Sequence, residues 1–130
     1  MKLVIDTSAI IAVLVNEEHK EKLIELTERS QLIAPSSLHW EIGNAFTAMF
    51  KRKRISIEEA NVAIDSYIQI PIRFVESNLY ESIEISFDNE LYAYDSYFIQ
   101  CAKQYNCPLL TLDNRLKEVA IELNVNVLEV

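Results

Sequence analysis

The sequence predicts an α/β fold in which a mostly parallel sheet of about five strands is covered by helices on both faces. Short, β-branched apolar runs alternate with segments of helical periodicity along the whole chain of 130 residues. The strand-like runs are apolar throughout, which is typical of parallel strands that are buried on both faces. No internal repeat or low-complexity segment interrupts this order, so we expect one domain over residues 1–130.

Five short apolar runs predict the strands. Their connections are long enough for right-handed helical crossovers, and in such sheets ligands bind beyond the carboxyl ends of the strands. In chain order the runs are Lys2–Ile5, 32–34, Ile72–Val75, 109–112 and 125–128.

Seven segments between these runs predict helices. Ser36 or Ser37 is placed to cap the third helix, and Ser56 with Glu59 makes a capping-box pattern at the start of the fourth. The sixth helix carries an apolar stripe that begins at Tyr94. In order the segments are 7–15, 17–30, 37–53, 56–69, 78–87, 93–106 and 114–123.

Composition excludes several functional classes. Twelve Lys and Arg against twenty Asp and Glu give a net charge of −8, which argues against a general nucleic-acid coat and favours an acidic metal site or basic partners. Gly43 is the only glycine, so glycine-rich phosphate loops are excluded.

The longest apolar run, 9–15, is too short for a membrane helix, and we expect a cytoplasmic protein. Cys101 and Cys107 fit neither a zinc site nor a redox pair, and we expect reduced cysteines in or near the core.

Four acids stand alone in apolar surroundings: Asp6, Glu41, Asp95 and Asp113. An ionised carboxylate in such a setting is costly unless it is paired, hydrogen-bonded or bound to a metal. Asp6 and Asp113 each close a predicted strand, at the carboxyl edge of the sheet, and Asp95 lies in the first turn of a helix. The topology therefore predicts one shared cluster.

Each of these acids also has a structural interpretation. Asp6, Asp95 and Asp113 are equally suited to cap helices. Glu41 lies inside a helix, where it cannot cap, and no Lys or Arg stands three or four residues away; a long-range ion pair remains open. If the four carboxylates meet within about 6 Å, each pair repels by about 3 kcal/mol, so the cluster requires a cation. All-oxygen ligands select Mg²⁺ or Mn²⁺.

Four polar residues near these acids are candidates to orient a carboxylate or a metal-bound water. Thr7 and Ser8 follow Asp6 directly, although both also suit a helix start. Asn44 lies three residues after Glu41, on the same helical face. Thr111 and Asp113 are two residues apart on a predicted strand, so their side chains point to the same side of the sheet.

Four short motifs together resemble a PIN domain and, within that superfamily, a VapC-type toxin ribonuclease. Their order and spacing and the total length agree with the family over essentially the whole chain. The motifs are Val-Ile-Asp6-Thr7-Ser8, Trp40-Glu41-Ile-Gly-Asn44, Ala-Tyr94-Asp95-Ser and Leu-Thr111-Leu-Asp113.

The resemblance implies a three-layer α/β/α fold and a Mg²⁺- or Mn²⁺-dependent endoribonuclease. Its catalytic and metal-binding carboxylates would be Asp6, Glu41, Asp95 and Asp113. A metal-activated water would then cleave RNA and leave a 5′-phosphate and a 3′-hydroxyl. The resemblance also implies homodimerisation and inhibition by a cognate antitoxin protein, whose Arg-rich segment would compete for the acidic site.

Three alternatives remain open at this stage. The basic block Lys51–Arg54 either contacts RNA phosphates or merely complements the end of its helix. A phosphohydrolase of the dehalogenase or receiver type would also place an Asp after the first strand, but it needs a second acid where Thr7 and Ser8 stand. A PIN-fold RNA- or protein-binding module without catalytic activity would keep the acids as caps only.

Overall fold

A four-stranded parallel sheet forms the centre of the fold. The computed structural model describes residues 1–130. The strands are β1 (Lys2–Ile5), β2 (Gln31–Pro35), β3 (Ile72–Val75) and β4 (Leu109–Leu110), in the spatial order β3-β2-β1-β4. The fifth predicted strand, 125–128, contributes only one parallel bridge, between Leu109 and Val127. The sheet therefore has four strands and a rudimentary fifth.

Seven helices connect the strands and cover both faces of the sheet. None is long and apolar enough to cross a membrane. The helix predicted over 17–30 begins only at Lys20, and β4 ends at Leu110, two residues earlier than predicted. The helices are α1 (Thr7–Leu14), α2 (Lys20–Thr27), α3 (Leu38–Lys51), α4 (Ile57–Gln69), α5 (Leu79–Asn89), α6 (Ala93–Tyr105) and α7 (Asn114–Glu122).

The core is one cluster of 28 buried apolar residues drawn from the sheet and the inner faces of the helices. Leu3, Ile33 and Leu109, from three adjacent strands, have no exposed surface. The central strands are therefore buried on both faces, which explains their uniformly apolar sequences. Cys101 is buried in this core and Cys107 lies at its edge, and both are free thiols as predicted.

Two predicted helix starts have different outcomes. The capping box of α4 is confirmed: Ser56 Oγ accepts the Glu59 N–H at 3.1 Å, and Glu59 Oε1 accepts the Ser56 N–H at 3.2 Å. The predicted serine cap of α3 is wrong. Ser37 has helical dihedral angles, whereas a capping side chain requires an extended residue, and Ser36 instead donates to the Val75 carbonyl at 3.3 Å.

The buried stripe of α6 is shorter than the sequence predicts. Phe98, Cys101 and Ala102 are buried, but Tyr94 in the first turn is 44% exposed. Its ring packs edge-on against Tyr97 and leaves one side open to solvent.

Candidate active site

Asp6 is a buried carboxylate whose position is fixed by four contacts at the end of β1. It is 4% exposed and is the N-cap of α1, where Oδ1 accepts the Ala9 N–H at 3.0 Å. The Ser8 hydroxyl donates to the same oxygen at 2.7 Å. Oδ2 accepts a hydrogen bond from the Thr111 hydroxyl, and the Asp6 N–H bonds the Leu110 carbonyl at 3.2 Å.

Thr111 and Ser8 connect Asp6 to the segment that follows β4. The Asp113 N–H donates to Thr111 Oγ1 at 3.0 Å, and the Leu112 N–H donates to Ser8 Oγ at 2.9 Å. Asp113 itself caps α7, since its Oδ1 accepts the Leu116 N–H at 3.0 Å. Thr111 and Asp113 lie beyond the end of β4, so they are joined by this backbone bond and not by strand alternation as predicted.

Glu41 presents a carboxylate oxygen that is buried without a hydrogen-bond partner. It lies in the first turn of α3, and its Oε2 has no donor within reach. The Thr7 hydroxyl nearby favours the charged form, yet its own oxygen is likewise buried without a partner. The long-range ion pair left open by the sequence does not form, because the two salt bridges of the protein, Lys22–Glu25 and Arg115–Glu118, involve other acids.

Asp95 lies in the first turn of α6, and its side chain does not cap the helix. The cap position belongs to Tyr92, which makes no side-chain capping bond. Asp6 and Asp113 therefore have the cap role that the sequence left open, whereas Asp95 and Glu41 have no structural role of that kind.

All four predicted acids line one open cavity of about 410 Å³, hereafter the acidic cavity. Thr7 and Ser8 also line it, and Thr111 lies behind Asp6, whereas Asn44 is exposed on α3 and does not contribute. The lining includes a fifth acid and no Lys, Arg or His. It consists of Asp6, Thr7, Ser8, Ile11, Glu17, Glu41, Ala45, Asp95, Phe98, Leu112 and Asp113.

Glu17 is the cavity residue that sequence reasoning missed. It follows α1 in a turn whose geometry is fixed by a bond from its N–H to the Ala12 carbonyl at 2.9 Å. In the sequence it begins a run of polar surface residues, so nothing distinguishes it from the acids around it.

Burial and mutual repulsion disfavour negative charge in the acidic cavity. Desolvation raises the pKa of Glu41 to about 8, and the charges of Asp95 and Asp6 add to the increase. Desolvation also raises the pKa of Asp6 to about 6, although hydrogen bonds from Thr111, Ser8 and the Ala9 N–H oppose it. Burial, followed by the charge of Asp113, raises the pKa of Asp95. A cation would relieve all three costs.

The donor set fits a hydrated divalent cation. No three acids, histidines or cysteines converge closely enough to ligate one ion directly. Asp6 Oδ1 already accepts two hydrogen bonds, but Oδ2 accepts only one and Glu41 Oε2 accepts none, so lone pairs remain free. Mg²⁺ prefers oxygen ligands and usually retains several waters, which makes a site of spaced carboxylates suitable for it.

The remaining charged candidates lie away from the cavity. The block Lys51–Arg54 lies at the opposite end of α3, whose last residue, Lys51, is about 15 Å along the helix from Glu41. His39 is also on α3, but its Nδ1 bonds the Tyr67 hydroxyl at 2.8 Å. Neither the basic block nor a histidine lines the acidic cavity.

Comparison with known proteins connects this architecture to one family. The PIN domain family model matches residues 3–122. Ribonuclease VapC9 of Mycobacterium tuberculosis is 29% identical over 118 residues, which is 89% of each chain. The structure of VapBC2 from Rickettsia felis, bound to a DNA fragment from their promoter, superposes with a TM-score of 0.70 at 13% identity and covers 98% of both chains.

Mycobacterium tuberculosis VapC20, described as a sarcin-ricin loop cleaving toxin, has a TM-score of 0.62 at 11% identity. That superposition covers 89% of this chain and 93% of VapC20. These structural likenesses establish a shared fold, and the family match extends over nearly the whole chain. The chain belongs to the PIN domain family.

Proposed function

We propose that the protein is a Mg²⁺- or Mn²⁺-dependent endoribonuclease of the VapC type, the toxin of a toxin-antitoxin pair. The observation that supports this most strongly is Glu41 Oε2, a buried acceptor without a partner in a cavity that five acids and no basic residue line. Such a cavity is electrostatically unfavourable without a cation. The relatives named as VapC ribonucleases point to RNA as the substrate.

Asp6, Glu41, Asp95 and Asp113 would hold the metal, partly through water. When bound, Mg²⁺ or Mn²⁺ supplies positive charge at the scissile phosphate and lowers the pKa of water. Hydrogen bonds from Thr111 and Ser8 fix the direction of the Asp6 carboxylate and favour its ionised form, against the larger effect of burial, which raises its pKa. The Thr7 hydroxyl lies near Glu41 and opposes the rise in its pKa, although burial outweighs this effect. Glu17 adds negative charge to the cavity lining.

The products would carry a 5′-phosphate and a 3′-hydroxyl. Ribonucleases that use the 2′-hydroxyl as nucleophile need a general base beside the ribose, and imidazole is the usual one. Neither His19 nor His39 lines the acidic cavity, and no Lys does. Attack by water, rather than by the 2′-hydroxyl, therefore agrees with the residues that line the acidic cavity.

We also propose two protein partners. VapBC2 was solved as a pair of proteins with promoter DNA, which favours a cognate antitoxin for this chain. A basic antitoxin segment would complement the acidic cavity and compete with metal or RNA. A homodimer would cover the exposed apolar face of α5, where Tyr80 is 92% and Phe87 is 85% exposed.

The central test is cleavage of RNA by Asp6→Asn and Asp95→Asn in Mg²⁺, with chelated metal as the reference condition. We expect both variants to lose activity at least a hundredfold, and end-mapping of the parent's products to show 5′-phosphates. Cleavage by either variant at the parent rate would contradict the site.

A non-catalytic RNA- or protein-binding module is the second candidate. It is favoured by the capping bonds of Asp6 and Asp113 and by the lack of a preformed direct metal cluster. Metal response separates the two candidates, because ligand binding to the folded state raises its stability. A module whose acids are only caps gains no thermal stability from millimolar Mg²⁺ and cleaves no RNA.

A further inference from the structure

Asp95 lines the acidic cavity, but no hydrogen bond or ion pair holds its carboxylate. By contrast, both carboxylate oxygens of Asp6 accept hydrogen bonds, and one oxygen of Asp113 caps α7. Only burial and the charge of Asp113 act on the Asp95 side chain. The direction in which this carboxylate points therefore depends on how the first turn of α6 is fixed to the rest of the fold.

A buried pair of hydroxyls fixes the first turn of α6 to α5. Ser96 directly follows Asp95 and is fully buried, and its Oγ is hydrogen-bonded at 2.7 Å to Ser86 Oγ in the last turn of α5. The Tyr92 carbonyl closes the turn by accepting the N–H groups of Asp95 and Ser96 at 3.1 and 3.3 Å. Successive side chains on a helix point about 100° apart, so holding Ser96 inward sets the direction of Asp95.

The same end of α5 is also bonded to the first turn of α7. Arg115 lies two residues after Asp113, and its Nη2 donates to the carbonyl of Asn89 at 2.7 Å. Asn89 is the last residue of α5, which ends there because Glu90 has left-handed dihedral angles. Ser86 and Asn89, hereafter the α5 anchor, thus hold the first turns of two helices, each of which carries an acid of the cavity.

The bond to Asn89 is the contact that accounts for the position of Arg115. A cation at the carbonyl end of a helix is favoured by the free acceptors and by the helix dipole. The other contact of Arg115 is a salt bridge to Glu118 at 4.0 Å, in which both side chains are more than half exposed, so it contributes little. Arg115 does not line the acidic cavity.

We propose that the α5 anchor sets the spacing of Asp95 and Asp113 at the metal site. This proposal rests on the proposed ribonuclease function and adds residues that touch neither metal nor RNA. Thr111 joins Asp6 to Asp113 through one hydroxyl, whereas the α5 anchor joins Asp113 to Asp95 through two helix starts. Loss of either anchor bond should weaken cation binding although every acid is retained. The positioning residues are Ser86, Ser96 and Arg115.

The first test measures the affinity of the RNA-free protein for Mn²⁺, from the electron paramagnetic resonance signal of the free ion. Ser96→Ala should raise the Kd about tenfold or more. It should also lower the melting temperature, because the Ser86 hydroxyl loses its partner. Ser86→Ala combined with Ser96→Ala should regain much of the stability, since both polar partners are then removed, but should keep the raised Kd.

Ser82→Ala is the matched control for the serine variants. Ser82 is also on α5 and fully buried, but its hydroxyl donates only to the Asn78 carbonyl of its own helix start, at 2.8 Å. We expect this variant to keep the Kd of the parent, and circular dichroism confirms that each variant is folded. A Ser96→Ala variant with the parent's Kd would overturn the proposal. So would a double variant that regains the parent's Kd together with its stability.

The second test uses Arg115→Met, for which position and charge predict opposite changes. Removal of a positive charge by itself would tighten Mn²⁺ binding, because the cation is repelled less. Loss of the bond to Asn89 should instead raise the Kd, about tenfold. Glu118→Gln removes the salt bridge and keeps that bond, so it should retain the parent's Kd.

Two results with Arg115→Met would overturn the proposal. One is a Kd for Mn²⁺ equal to or below that of the parent. The other is a raised KM for RNA with an unchanged Kd for Mn²⁺, which would make Arg115 an RNA contact and not a positioning residue.

The behaviour of the parent separates this proposal from the ribonuclease proposal. If the parent binds Mn²⁺ and cleaves RNA while the variants keep its Kd, the positioning proposal fails and the ribonuclease proposal stands. If the parent binds Mn²⁺ but cleaves no RNA, the ribonuclease proposal fails and the series of Kd values still decides the role of the α5 anchor. If the parent binds no Mn²⁺, both proposals fail.

Discussion

The hydroxyl of Thr111 donates to Asp6 across 105 residues of sequence and accepts the N–H of Asp113 at 3.0 Å. One buried hydroxyl thus fixes two carboxylates of the acidic cavity with respect to each other. The pairing of β1 with β4 makes this contact possible, because Ile5 and Leu110 are register partners.

Replacing Thr111 with Val should impair both stability and activity. The Asp6 carboxylate and the Asp113 N–H would lose a buried partner, which costs about 1 to 3 kcal/mol. Because the lost bond lowers the pKa of Asp6, the acid limb of the pH–rate profile should move to higher pH. Thr111→Ser keeps the hydroxyl and is the control. Urea unfolding and the pH profile test this, and a Val variant that matches the parent in both would contradict it.

The metal-free protein should lose stability as pH rises from about 4 to above 8. Folding raises the pKa of Asp6 from 3.8 to about 6 and that of Glu41 from 4.5 to about 8. Protonation is thus favoured by the folded state, so the stabilisation is complete below pH 4 and is lost as pH passes through these raised values. Thermal unfolding in EDTA across this range measures the effect. A stability that increases from pH 5 to 8 would refute it.

Glu41→Gln should stabilise the metal-free protein at pH 8 while abolishing cleavage. The neutral amide removes a buried charge that repels Asp6 and Asp95, and we expect a gain of roughly 1 to 2 kcal/mol. Glu21→Gln, on the exposed surface of α2, is the matched control and should change neither property. A substitution that raises the free energy of unfolding while it lowers the rate of cleavage is typical of an acid that serves function at a cost in stability.

Millimolar Mg²⁺ should raise the melting temperature of the parent at pH 8 and release protons. A ligand at a hundred times its Kd stabilises the folded protein by about 2.7 kcal/mol. The carboxyl groups whose pKa is raised must ionise before they can bind the cation, so binding releases protons. Glu17→Gln should weaken the metal response less than about fivefold, since an acid at an open cavity interacts through water. An unchanged melting temperature in Mg²⁺ would contradict the metal site.

Ser56→Ala should destabilise the protein by about 1 kcal/mol without changing the activity of the folded molecule. The substitution removes the bond to the Glu59 N–H at the start of α4, and neither residue lines the acidic cavity. Chemical unfolding and cleavage assays at low temperature separate the two quantities. A large loss of specific activity in this variant would show that α4 is coupled to the site.

The residues that the sequence placed correctly are those for which local pattern and topology agree. Asp6 and Asp113 follow parallel neighbouring strands, so their proximity follows from strand order alone. Glu41 stands out in the sequence because neither a cap position nor a nearby Lys or Arg accounts for it, and the structure places it in the lining of the acidic cavity. The cap and ligand roles are compatible for Asp6, since Oδ1 caps α1 while Oδ2 keeps a free lone pair.

What the sequence could not give depends on tertiary contacts without a local signal. Glu17 reaches the cavity only because a turn after α1 brings it back. Ser37 has the right residue type for a cap, but its backbone already follows the helix. Tyr94 continues an apolar periodicity, and its exposure is decided by where the first turn of α6 lies relative to the sheet. Periodicity identifies a helical face, whereas burial depends on what packs against it.

The bond between Thr111 and Asp6 also determines when the acidic cavity can form during synthesis. A chain that leaves the ribosome from its N-terminus has β1 and Asp6 long before β4 exists, and its acids are then separate and hydrated. The carboxylates can line one acidic cavity only after residue 113 has been synthesised. A fragment that stops short of β4 therefore lacks Thr111 and Asp113 and cannot assemble the acidic cavity.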